Sequence, residues 1–85
     1  MTTTSRPDEL AGAIAATAAD QRKNYPELSN ADAVELIRHN FVVAEDTPYY
    51  PSSWTVSVNA QDPLERAYAL VVRATPDELA NALAL

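Results

Sequence analysis

The chain has 85 residues, a formal net charge of −6, 47% apolar residues and no cysteine. That length fits one small domain with a modest core, and the composition is globular rather than disordered. Without cysteine there is neither a disulfide framework nor a thiolate metal site to supplement the core. No apolar run is long enough to span a bilayer, and "MTTTSRP" lacks the apolar stretch of a secretory signal, so a cytoplasmic protein is expected.

Residues 1–5 are polar and expected to form a flexible N-terminus ahead of a single domain over 6–85. A first helix is expected over about 7–23, with Ser5 as its cap and Asp8 as the partner three residues on. Leu10, Ile14, Thr17 and Ala18 mark its apolar face. Gly12, the only glycine, sits inside this helix at a cost of about 1 kcal/mol relative to alanine. Either a packing contact or indifference explains it. With no glycine left for helix ends, Asn24 and Asn40 are expected to take the left-handed conformation there, with Phe41 closing over Leu36.

A second helix is expected over about 30–39, capped by Ser29 with Asp32 as partner and Leu28 stapled to Ala33. Its buried stripe would be Ala33, Val34, Ile37 and Phe41. In "WTVSVNA", Trp54, Val56, Val58 and Ala60 alternate with Thr55, Ser57 and Asn59, the pattern of a half-buried strand. "FVVAE" would be its antiparallel partner, with Pro48 and Pro51 confined to the loop. A third helix opens at "DPLE", with Asp62 as cap, Pro63 first and Glu65 completing the box. Leu64, Ala67, Tyr68, Leu70, Val71 and Val72 give it a wide apolar surface, suited to the centre of the core. The fourth begins at Thr75, with Pro76 first and Glu78 closing the box; Leu79, Ala82, Leu83 and Leu85 are its apolar side. The expected fold is mostly α, of the α+β class: four short helices with a small antiparallel β-hairpin between helices 2 and 3.

"RPDELAGAI" at 6–14 and "TPDELANAL" at 75–83 agree at six of nine positions. The agreement covers proline, two acids and the first leucine, which serve helix initiation, and "DPLE" uses the same start without being a copy. Two units are also too few for a repeat architecture. We read the pair as shared capping grammar.

The acids follow the same grammar. Asp8, Glu9, Asp32, Glu35, Asp62, Glu65, Asp77 and Glu78 fall at or near expected helix starts, and Arg22, Lys23, Arg38 and Arg73 near expected ends. Each such charge contributes roughly 0.3–1 kcal/mol against the helix dipole. On this reading the net charge is no mimic of a nucleic acid.

Catalytic signatures are missing. There is no Gly-x-Ser-x-Gly, no phosphate-binding glycine loop and a single histidine, so an enzyme is not expected and no cofactor is implied. Asp32, Glu35 and His39 share helical spacing, but Glu35 and His39 read as an i,i+4 pair on a solvated face, and no metal is expected. Helices 1 and 2 could be a helix-turn-helix, with Asn30, Asp32, Glu35 and Arg38 presented to DNA. Two carboxylates facing a polyanion oppose that reading. Large aromatics with polar tips favour protein interfaces. Tyr49, Tyr50 and Trp54 in "TPYYPSSW", with Leu79 and Leu83 on the last helix, are therefore the candidate partner-binding residues. The expected function is a non-enzymatic module that binds another protein or a second copy of itself, with no membrane and no nucleic acid involved. An acidic helix-turn-helix regulator and a small-ligand binder using the Tyr/Trp loop are the alternatives. The preference for arginine over lysine and the wealth of alanine match a GC-rich bacterial or phage genome.

Overall fold

The computed structural model of the chain describes residues 6–43, 54–57 and 59–85. In chain order these form α1 (Arg6–Gln21), α2 (Asn30–Asn40), β1 (Phe41–Val43), β2 (Trp54–Val56), α3 (Pro63–Arg73) and α4 (Pro76–Leu83). The fold is mostly helical with a small two-stranded sheet.

Three of the helix starts are set by single side chains. Ser29 accepts a hydrogen bond from the Asp32 N–H and opens α2. Asp62 accepts from the Leu64 N–H, and Pro63 follows as the first residue of α3. Thr75 accepts from the Glu78 N–H while the Glu78 carboxylate accepts from the Thr75 N–H, a closed capping box at the head of α4. Each bond satisfies a donor that the helix itself leaves unpaired. The cap expected at Ser5 lies outside the described residues.

Glu65 differs from expectation. Its carboxylate does not close a box at Asp62 but accepts from the Ser57 N–H at 3.2 Å. The strand ends at Val56, and Glu65 takes the next backbone donor, joining the head of α3 to the end of β2.

The helix ends are also built differently. No described residue has a positive φ, so neither Asn24 nor Asn40 forms a left-handed cap. α1 stops at Gln21, where the chain tightens into turns: Lys23 donates to the Asp20 carbonyl, and Asn24 and Tyr25 both donate to that of Gln21. These bonds satisfy the terminal carbonyls without a special residue. α2 runs directly into β1. Phe41 is already extended, at φ −117° and ψ 147°, while its N–H still donates to the Ile37 carbonyl. A strand must start at once here, which removes the room for a Schellman turn. The Phe41 ring stacks on Tyr68, with centroids 4.6 Å apart and planes 23° from parallel.

β1 and β2 pair in parallel, with Phe41 opposite Trp54, Val42 opposite Thr55 and Val43 opposite Val56. The expected antiparallel hairpin is therefore incorrect. Alternation fixes which side chains face the core, and it does so here, since Val43 and Val56 are buried and Thr55 is exposed. It carries no information on strand direction. The connection over 44–53 has a reach of about 33 Å, ample to return along a strand of about 10 Å.

The core lies between α1 and α3. α1 packs on α2, α3 and α4, and α3 packs on α1, α2 and both strands. Leu10, Ile14, Val34, Ile37, Val71 and Leu79 are buried there, with Val43 and Val56 from the sheet and Tyr68 from α3. Small residues let the helices approach, and Ala18, Ala33 and Ala69 are fully enclosed. Thr17, also enclosed, donates its hydroxyl to the Ala13 carbonyl at 2.8 Å. Gly12 is exposed, and a Cβ added there would meet nothing within 4 Å. Packing does not explain it. Among the described residues no helix is long and apolar enough to cross a membrane.

Candidate functional site

α2 and α4 flank a groove of about 470 Å³. Its floor is the edge of the core, Val34 from α2 and Leu79 from α4, both buried. Exposed Ala31, Ala80 and Leu83 form its sides. The helical repeat produces this arrangement. α4 turns Leu79 and Ala82 inward, and Leu83, one turn beyond Leu79, falls on the margin of the buried face. The helix ends there, and Leu83 keeps 38% of its surface in water.

The candidate residues thus divide. Leu79 and Leu83 come together on this groove, the first as floor and the second as exposed side. Tyr49 and Tyr50 lie outside the described residues. Of Trp54 only the backbone is described, in β2 opposite Phe41.

The groove has an acidic margin. Asp32 and Glu35 both line it, with Arg38 as the one cation among the lining residues. Asp32 also lines an adjoining open hollow of about 580 Å³, formed by the connection after α1, where Tyr25 is 54% exposed beside Pro26, Glu27 and Leu28. Among the described residues none of Glu27, Asp32 and Glu35 is in an ion pair; the pair between Lys23 and Asp20, at 3.5 Å, involves neither helix flanking the groove.

The two arginines near α2 are engaged with other groups. Arg38 directs Nη1 to the Ala74 carbonyl, with the Val71 and Val72 carbonyls at 3.4 Å. The guanidinium sits on the acceptors left open at the end of α3, where the helix dipole is negative. Arg22 donates from Nε to the Leu28 carbonyl at 2.8 Å and from Nη2 to the Asn30 side-chain oxygen. Of the four residues a helix-turn-helix would present, Arg38 and Asn30 therefore already hold partners within the chain, and two carboxylates remain. That charge opposes phosphate binding.

A second polar cluster lies inside the fold. The buried Tyr68 donates its hydroxyl to the Asp20 carboxylate at 2.5 Å and accepts from the Gln21 amide at 2.8 Å. Burial, followed by the bond to Asp20, pushes its pKa up to about 12. At neutral pH the phenol is protonated, and it ties the end of α1 to α3. The sequence marks Tyr68 only as part of an apolar stripe. Its partner was legible in one respect: Gln21 follows Ile14 and Thr17 at helical spacing, so α1 delivers a polar side chain to its buried face.

A hollow of about 520 Å³ lies where the two Pro-Asp-Glu-Leu-Ala segments adjoin, lined by Glu9 and Leu10 of α1 and by Arg73, Thr75 and Glu78. The Thr75 hydroxyl and Glu78 carboxylate there are engaged with each other's backbone. Asp32, Glu35 and His39 do not gather into a metal site; among the described residues no three histidine or acidic side chains could hold an ion.

No protein-family model matches this sequence, and no curated protein or solved structure matches the chain.

Proposed function

We propose that this chain is a small cytoplasmic, non-enzymatic interaction module that binds a partner protein through the face where α4 meets α2. The segment bearing Tyr49, Tyr50 and Trp54 would supply a second contact. The observation that carries the reading is Leu83: a large apolar side chain, 38% exposed, beside a groove whose floor is already apolar. Covering such a residue with a partner recovers hydrophobic free energy that the monomer leaves unrealised.

The test compares wild type, Leu83→Asp and Tyr49→Ala/Tyr50→Ala in capture from the native host, with melting temperature measured alongside. The expected result is a captured protein whose recovery falls at least tenfold in Leu83→Asp while melting temperature stays within a few degrees. Equal recovery across all three proteins would refute the assignment of these residues. If instead the tyrosine variant loses many degrees of stability, those side chains cover the core and do not form a binding surface.

A further inference from the structure

The chemistry of the groove specifies its partner further. We infer that the α2/α4 groove takes a basic amphipathic helix from another protein, an inference that rests on the interaction reading above. Its apolar edge would lie on Val34, Leu79 and Leu83, and its lysines or arginines against Asp32 and Glu35.

A helix fits because the groove is bounded by a helix on each side, and side-chain ridges at helical spacing accept a third set of ridges. α2 has 11 residues and is about 16 Å long, so roughly three turns of partner helix would fill the groove. A basic partner fits because the groove's charged lining is two acids against one arginine. Asp32 and Glu35 are in no ion pair among the described residues, while Arg38, which also lines the groove, directs its Nη1 to the Ala74 carbonyl at the end of α3. Glu27, across the adjoining hollow, extends the same sign of charge beyond the groove. The net charge of −6 adds a long-range field that speeds encounter with a cation and repels an anion.

The same charges select against other occupants. A second copy docked groove to groove about a two-fold axis would set two linings of the same net sign against each other, each with Asp32 and Glu35 against a single Arg38. An anionic membrane or a nucleic acid meets the wrong sign.

The experiment titrates the isotope-labelled full chain with two designed peptides of about 14 residues. Both carry leucine at i, i+3, i+4 and i+7; one has lysine at the remaining positions and the other glutamate, residues of similar helix propensity. The expected result is that the lysine peptide shifts amide resonances along α2 and α4 and binds at least tenfold more tightly than the glutamate peptide. That advantage should shrink in 1 M salt, as exposed charges are then screened within about 3 Å. Asp32→Asn/Glu35→Gln should remove most of the preference, and Leu83→Asp should remove the shifts with the melting temperature held. Equal binding of both peptides at the groove would overturn the charge assignment and leave the interaction reading standing. No shift along α2 and α4 with either peptide would overturn the basic-helix inference, and the interaction reading falls with it only where capture is also unchanged in Leu83→Asp. A dimer mass in light scattering, with concentration-dependent shifts at Leu83, would replace the basic helix by a second copy.

Discussion

The segments 6–14 and 75–83, at the heads of α1 and α4, agree at six of nine positions, and the structure buries their inward-facing apolar residues alike until the last. Leu10 and Leu79 are 5% and 6% exposed, and Ala13 and Ala82 are 6% and 4% exposed. Ile14 and Leu83 stand at the matching final position, yet the first is 2% exposed and the second 38%. The shared pattern therefore sets which side of each helix faces inward and does not decide how far the cover extends. α1 continues to Gln21 and packs on three other helices, whereas α4 ends at Leu83. Local sequence orients an apolar residue, but neighbours bury it.

The sharpest way to break this comparison is to truncate the two matching residues. Ile14→Ala should cost about 2–5 kcal/mol of unfolding free energy, the range for a buried aliphatic side chain, and Leu83→Ala less than about 1 kcal/mol. Urea unfolding with a common slope measures both. Similar costs at the two positions would mean that Leu83 is core and not surface.

Next in size is the contact that secures the extension α1 has and α4 lacks. Tyr68→Phe removes the bond to Asp20 and the bond from Gln21 and should cost about 1–3 kcal/mol, since a charged acceptor loses its donor. It should also alter the alkaline limb. Folded Tyr68 keeps its proton to a pKa of about 12, while an unfolded tyrosine releases its own near 10. The stabilisation is complete below pH 10 and is lost as pH climbs from 10 towards 12. Unfolding measured across that window should show a shallower decline for Tyr68→Phe than for wild type.

Smaller again is the start of α4. Thr75→Ala opens the capping box with Glu78 and should cost about 1 kcal/mol, seen as a lower urea midpoint. The smallest effect has the opposite sign. Gly12→Ala should stabilise the protein by up to about 1 kcal/mol, because the site is exposed and an added Cβ touches nothing. A loss of stability there would show that the glycine answers a need the monomer does not display.

The comparison also explains what was legible in the sequence. The starts of α2, α3 and α4 could be read because a cap is a contact between residues two or three apart, as Ser29 with Asp32 and Thr75 with Glu78 show. The buried faces could be read because Leu10, Ile14 and Thr17 repeat at helical spacing. The direction of β2 could not, since Val43 and Val56 would be buried in either sense. Nor could the ends of the helices, which depend on distant groups: the end of α3 is closed by Arg38, more than 30 residues earlier in the chain, and Phe41 is held by Tyr68. For the site, sequence placed Leu79 and Leu83 on one side of α4. It could not foresee that α2 would stand opposite with Asp32 and Glu35, because that meeting is a product of tertiary packing.

The passage from α2 into β1 without a connecting residue has a mechanical consequence. Asn40 ends the helix and Phe41 is already paired with the neighbouring strand, so no slack separates the groove wall from the sheet. Any tilt imposed on α2 from outside must be taken up by the Phe41–Tyr68 stack and by the registry opposite Trp54. A partner that presses on the groove wall would therefore be felt in the pairing of β1 with β2.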